Sequence, residues 1–423
     1  MTVTEVEGLL KRSAVFLDQF AGCFGRQAQR GAAQRYVRGL LSEKPRKAIL
    51  AMVDARKSTA VYQSLQHFIT DAPWDAERVW RRLRKMTPAG PGLVLLDDTG
   101  FPKQGTHSVG VARQYSGTLG KVGNCQVAVG AVLAQRDSSW PLGFELYLPE
   151  AWAYDPDRRE RAEIPPSVGF QEKWRIALQL LDRSRREGVL IDAVVADAGY
   201  GEVTAFRRAL SGRRLRYVVG VSRQIRVRRE GKEFGRSVTV AALALSLPPS
   251  AWHVVKWRDG TKGPLRACFA AVLVRPTHGW KPDGPWPRLE WLLCERSLKG
   301  GGRRRYYLSN LPPTTVLQRL VALAHARWQI EQYFQNLKDE IGIDHFEGRS
   351  YGGWHHHTAL AALTFALIES ERHRHGVTRK TFPFLRRLVR AVVFILMAAE
   401  RNEYTELLLH FRKHPPQGGW GFG

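Results

Sequence analysis

The chain has 423 residues, 44 % of them hydrophobic, enough to bury a sizeable core, which excludes global disorder. Lys and Arg number 65 against 39 Asp and Glu, and the resulting net charge of +26 points to a polyanionic partner, most often nucleic acid. Four scattered cysteines exclude a CxxC metal or redox site and a disulfide framework, and no apolar run reaches the ~18 residues of a membrane span.

The N-terminal stretch MTVTEVEGLLKRSAVF lacks the basic-then-apolar order of a secretion signal, so a soluble protein of the reducing cytoplasm is expected. Residues 1 to about 88 read as helices: Leu9, Leu10, Val15 and Phe16 recur at helical spacing, and WDAERVWRRLRKM closes the region with a basic face. Pro88, Gly90, Pro91 and Gly92 then form a loop suited to a domain boundary. After it, Leu93–Asp98, Cys125–Leu133 and Trp140–Leu148 read as strands and Phe170–Glu187 as an amphipathic helix. Leu190–Asp197 reads as a buried strand, Gly201–Leu210 as a short helix and Leu215–Val221 as a fifth strand. The order is β-β-β-α-β-α-β. Residues 223–310 are β-rich, with a hairpin whose turn is expected at Asp259-Gly260, and hold five tryptophans that read mostly as core. Pro312–Ile341 reads as one long helix, followed by helices over 355–373 and 382–400 and a loose tail.

Acids close two of the strands. Asp97 and Asp98 end the first and Asp197 ends the fourth, positions where side chains leave the core and meet a site. Either acid alone would read as a turn or N-cap residue. In ARWQIEQYFQNLKDEIG, Glu331, Phe334 and Lys338 lie about 40°, −20° and 20° from Arg327 around a helix, so all four share one face. Phosphodiester cleavage gives three converging acids a purpose. Two divalent cations about 4 Å apart stabilise the attacking and the leaving oxygen, and Mg²⁺ selects hard oxygen ligands. Arg327 and Lys338 would then bind phosphate beside them.

These pieces resemble the DDE transposases of bacterial insertion sequences. Asp98-Thr99 resembles the family's D-[ST] motif, Asp197-Ala198-Gly199-Tyr200 its D-x-G-[FY] motif, and Arg327, Glu331 and Lys338 the R-x3-E-x6-K part of its Y-R-E-K signature, whose tyrosine is replaced by Ala324. GFPKQGTHSVGVARQYSGTLGKVGNCQVAVG is similar to the segment after the first acid in one group of these elements, and the resemblance covers residues 35–375. It implies an α/β fold, a ribonuclease H-like core (91–222 and 311–375) interrupted by a β-rich insertion (223–310). A helical DNA-binding domain (1–90) precedes the core and a helical C-terminal region (376–423) follows it. It also implies catalytic and metal-holding Asp98, Asp197 and Glu331, with Asp97 as the alternative to Asp98, two Mg²⁺ ions, and Mn²⁺ as a substitute. The implied partner is double-stranded DNA, as element terminal inverted repeats and target, bound by a homodimer in the synaptic complex. No membrane and no small-molecule substrate enters this reading, which places the protein at the nucleoid of the bacterial cytoplasm. The alternatives are a ribonuclease H-like nuclease without strand transfer and an inactive transposase-derived DNA-binding protein.

Two further clusters are legible. Arg303, Arg304 and Arg305 beside Tyr306 and Tyr307 interleave charge with aromatics, as DNA-binding surfaces do, or form a basic strand edge. His355, His356 and His357 cannot share one helical face, so phosphate contact or solvation is expected of them rather than zinc.

Overall fold

The computed structural model describes residues 3–53, 59–117, 120–136, 138–229, 236–260, 263–280, 284, 286–298, 304–374 and 381–399. Arg303 and the C-terminal tail lie outside the described residues. Five helices come first: α1 (Val3–Asp18), α2 (Gln27–Leu41), α3 (Ile49–Met52), α4 (Thr59–Thr70) and α5 (Ala76–Lys85). Strands β1 (Gly92–Pro102), β2 (Ala112–Ser116), β3 (Lys121–Gln135) and β4 (Ser138–Tyr147) follow, then α6 (Glu150–Ala153), α7 (Pro156–Arg161) and α8 (Lys173–Arg186). Next are β5 (Ile191–Ala196), α9 (Ala198–Gly201), α10 (Thr204–Gly212) and β6 (Tyr217–Val221). The β-rich stretch contains β7 (Arg226–Arg229), β8 (Val238–Thr239), α11 (Val240–Leu245), β9 (His253–Gly260), β10 (Gly263–Pro276), β11 (Glu290–Arg296) and β12 (Arg305–Ser309). Helices α12 (Leu317–His325), α13 (Trp328–Asn336), α14 (Tyr351–Arg374) and α15 (Phe382–Ala399) complete the chain.

One mixed sheet organises these elements. Its first half runs β4-β3-β1-β5-β6, with β3 antiparallel to both β4 and β1, and β1, β5 and β6 mutually parallel. This is the order of the ribonuclease H-like sheet that the sequence implied. The strands that are apolar on both faces explain the arrangement, because a partly parallel sheet is buried on both sides. Phe144 on β4 meets Phe334 of α13 on one face, and a Cβ at Gly143 would lie 2.7 Å from Leu180 of α8 on the other. The sheet does not end at β6. Strand β12 pairs with it antiparallel and carries β11, β10 and β7 onward, so the β-rich stretch continues the same sheet.

Five local expectations need correction. The first strand does not end at Asp98 but runs on to Pro102, so both acids lie within it. Asp259 and Gly260 are not the turn of the β9–β10 hairpin; they pair with Pro264 and Gly263 at its end. The helix expected over 312–341 is broken between α12 and α13 at Ala326–Arg327, and Leu337–Ile341 winds as one π-helical segment. The histidines of α14 are neither solvated nor placed for phosphate. His357 is fully buried, with Nδ1 2.8 Å from the Tyr36 hydroxyl and Nε2 3.0 Å from the Ile343 carbonyl. His356 stacks on Trp74 at 3.9 Å, between the carbonyls of Ile69 and Trp74. A long buried helix leaves its polar side chains nowhere to go but onto its neighbours. The same contacts tie α2 and α4 to the core, and one continuous apolar cluster runs from Phe16 to Val389. The five tryptophans of the β-rich stretch are also not fully buried; Trp286 is exposed and the other four are half-buried.

Candidate active site

The two aspartates of β1 point to opposite faces of the sheet, as neighbours on a strand must. Asp97 pairs with Gly130 of β3, and the missing side chain of Gly130 leaves room for Phe334: a Cβ there would lie 2.8 Å from the ring. Residues paired across antiparallel strands share a face, so Asp97 looks towards α13. Asp98 pairs with Val129 and looks towards α8, where Lys173 Nζ lies 2.5 Å from its carboxylate.

Asp197 stands beside Asp97. Leu96 and Ala196 are the last paired residues of the parallel strands β1 and β5, and the next residue of each is an aspartate. Asp197 caps α9, accepting a 3.4 Å hydrogen bond from the Tyr200 amide. The short helix lies flat on β6: a Cβ at Gly201 would overlap the Gly220 carbonyl, so only glycine fits there. This contact turns the chain away at Asp197 and leaves its carboxylate at the end of the sheet.

Glu331 occupies the first turn of α13, with its side chain half exposed. Arg327, one turn earlier, joins the set together. One arm of its guanidinium is 2.5 Å from the Asp97 carboxylate, and the other is bonded to Glu331. Lys338 lies further along the same helical face, where its ammonium donates to the Gly100 carbonyl at 2.9 Å and sits 5.6 Å from the Phe101 ring centre. The face read from the sequence thus meets β1 and β3 along its length: Arg327 at Asp97, Phe334 at Gly130, Lys338 at Gly100.

The electrostatics are those of crowded acids. Burial, with help from Asp197 and Asp98, pushes the Asp97 carboxyl up to about 7 against the pull of Arg327. Asp197 is raised as well, by burial first and Asp98 second, again opposed by Arg327. Lys338 is lowered by burial. A cluster of oxygen donors held above its usual range by burial and mutual repulsion suits a hard divalent cation, which supplies positive charge without a proton. Among the described residues no three His, Cys, Asp or Glu side chains lie close enough to share one ion as they stand, with Arg327 placed between Asp97 and Glu331.

Asp197, Arg327 and Glu331 line a groove of 1480 Å³ together with Arg223, Arg296, Arg304, Arg305 and Tyr307; Asp97 is not in its lining. Arg304 and Arg305 belong to the basic run singled out in the sequence, where a DNA-binding surface and a strand edge both stay open. No motif marks Arg223 and Arg296, which sit just after β6 and at the end of β11 and approach the groove only through strand pairing. Lys173 was missed as well, since no motif marks it.

A partly parallel sheet with aspartates side by side where β1 and β5 stop pairing, and a glutamate joined to them through an arginine on a helix, defines an endonuclease-like scaffold. The chain belongs to the DDE superfamily endonucleases, whose family model matches residues 19–264. That match spans Asp97, Asp98 and Asp197. A second family, the transposase DDE domain, matches residues 174–367 and spans Asp197 and Glu331. A probable transposase for insertion sequence element IS701 from Microchaete diplosiphon is 33 % identical over 165 residues, 38 % of this chain and only 40 % of that relative's length. The piggyBac transposase, solved by cryo-EM as a synaptic complex with hairpin DNA, superposes with a TM-score of 0.45 at 11 % identity, over 95 % of this chain and 78 % of that one. That likeness is too distant to carry any role across. No helix among the described residues is long and apolar enough to cross a membrane.

Proposed function

We propose that this protein is a transposase that cleaves DNA at the ends of an insertion sequence and joins them to a target, with Asp97, Asp197 and Glu331 as its catalytic carboxylates. The observation that carries this reading is the adjacency of Asp97 and Asp197 on parallel strands, linked through Arg327 to Glu331, at the mouth of an arginine-lined groove. On this reading Asp97 takes the role that the D-[ST] motif gave to Asp98. Asp98 instead faces α8, where its ion pair with Lys173 fixes the start of that helix against the end of β1.

Two Mg²⁺ ions bound by the three carboxylates would activate the attacking oxygen and stabilise the departing one. The chain's own residues do the rest. The arginines that line the groove hold the phosphate backbone, and their charge supplies affinity without sequence preference. Arg327 turns from Asp97 and Glu331 to the scissile phosphate as the site assembles, so the same guanidinium that balances the acids comes to hold the substrate. Burial of Asp97 and Asp197 keeps competing water from their inner oxygens. The first step adds water to phosphorus and releases a 3′-hydroxyl; the second uses that hydroxyl as nucleophile on target DNA and releases a target 3′-hydroxyl in turn. The helices of residues 1–90 bind the element ends, the C-terminal helices support the core, and two copies act together on paired ends in the bacterial nucleoid.

Incubating the protein with Mg²⁺, a labelled DNA carrying the inverted repeats that flank its gene, and a target plasmid tests the reading. Joined products, absent with EDTA, are expected. Cleavage without joining would reduce the protein to a nuclease, and no cleavage at all would overturn the proposal.

A further inference from the structure

A carboxylate in a groove that must bind a polyanion is a liability unless it does something for the cations around it. Glu295, on β11, is 7 % exposed and stands beside the arginine-lined groove. It is not part of the groove lining, but three side chains that are converge on it. Arg305 Nη1 donates to one of its oxygens at 3.2 Å, the Tyr307 hydroxyl donates to the other at 3.3 Å, and His325 Nε2 lies 3.3 Å from that second oxygen. The three come from two elements, β12 and α12. His325 is pinned from behind by Trp257, stacked at 3.9 Å. Burial alone would raise the Glu295 carboxyl, yet His325, Arg305 and Tyr307 together hold it below the usual range, so it stays ionised.

We propose that Glu295 is a positioning residue for the DNA strand in this groove: steadied from its other side by Tyr307 and His325, it holds the Arg305 guanidinium as a preformed phosphate clamp. The inference rests on the DNA-binding reading of the groove. Its physical content is preorganisation. An exposed arginine loses rotamer freedom when it grips a phosphate, and a fixed carboxylate behind it removes that cost before binding. The long planar guanidinium can contact the carboxylate on one edge and a phosphate on another; an ammonium cannot.

The test turns on a sign. A simple field effect predicts that removing a negative charge from beside the groove tightens DNA binding, whereas positioning predicts that it weakens it. The probe is a fluorescein-labelled duplex of arbitrary sequence, titrated with the full chain at several salt concentrations alongside thermal unfolding. Glu295→Gln is expected to weaken binding about threefold to tenfold and flatten the salt slope by up to about 0.9, with its melting temperature little changed. Combined with Arg305→Ala, it should cost less than the sum of the two single changes. Arg305 is largely exposed, so Arg305→Lys, which keeps the charge, will fold even where Glu295→Gln does not, and it too should weaken binding. Unchanged or tighter binding by Glu295→Gln, or full retention by Arg305→Lys, overturns the proposal. A wild-type chain that binds no duplex at all overturns the DNA-binding reading instead.

Discussion

Gly130→Ala probes how tightly the carboxylates depend on the packing of α13. The new Cβ would sit 2.8 Å and 2.9 Å from two carbons of the Phe334 ring and 3.1 Å from Phe144. Carbon atoms settle at about 3.6 Å, so Phe334 must retreat by roughly 0.8 Å. It has little freedom to turn instead, because Phe144 and Tyr333 flank its ring. The retreat therefore moves α13, and Glu331 lies one turn before Phe334 on that helix. Overpacking of this kind costs about 1–3 kcal/mol. Spread over a chain of 423 residues, with an unfolding entropy of about 2.1 cal/mol/K per residue, this lowers the melting temperature by only about 1–3 °C. The effect on chemistry is larger, since a misplacement near 1 Å can cost on the order of a hundredfold in rate. Calorimetry, duplex binding and Mg²⁺-dependent nicking should thus show a small loss of stability, unchanged binding, and nicking reduced roughly tenfold to a hundredfold. Nicking at the wild-type rate in a folded variant would refute the idea that the contact of α13 with β3 sets the position of Glu331.

Glu331→Gln should abolish cleavage and leave duplex affinity within about twofold, because the groove arginines that supply affinity are untouched; equal loss of both would make Glu331 structural. Arg327→Ala should flatten the salt dependence of binding by up to about 0.9, whereas Lys338→Ala should leave the slope alone and cost about 1–3 kcal/mol of stability through the lost bond to Gly100; the opposite pattern would exchange their roles. His357 should make the fold acid-sensitive. Its imidazole titrates at 6.5 in an unfolded chain and is lowered to about 4 by burial in the fold, so the unfolded state binds the extra proton between those values. Stability contributed by neutral His357 is complete above pH 6.5 and is lost as the pH falls towards 4, by up to about 3 kcal/mol. Comparing urea midpoints of wild type and His357→Asn across that window cancels the opposite contribution of Asp97; parallel curves would refute the assignment.

Much of the sheet was legible because apolar runs that meet acids carry their own marks, although only Asp197 follows a strand end and the first strand runs on past its acids to Pro102. The acids after LVLL and AVVA, the glycine-rich turn after Asp197, and the shared face of Arg327, Phe334 and Lys338 are local patterns, and the fold preserves each of them. What the sequence could not supply was anything that depends on a partner strand. Which of Asp97 and Asp98 faces α13 is one case. Both faces of β1 are buried, so alternation within the strand is silent, and the orientation of Asp97 is read only from its pairing with Gly130, more than thirty positions away, against which Phe334 packs. The set of groove arginines is another, since Arg223 and Arg296 meet only because β12 joins β6 to β11. The histidines of α14 misled for a related reason. Adjacent polar residues read as exposed, but His356 and His357 find polar partners on different neighbouring elements.

The most direct measurement compares nicking of end-labelled duplex in Mg²⁺ by wild type, Asp97→Asn and Asp98→Asn, each verified as folded and DNA-bound. Asp97→Asn should lose all detectable cleavage. Asp98→Asn frees Lys173 but leaves the three carboxylates in place, so it should lose less than about tenfold, in keeping with a partly exposed ion pair. Activity in Asp97→Asn with none in Asp98→Asn would contradict the account and move the first carboxylate to the other face of the sheet.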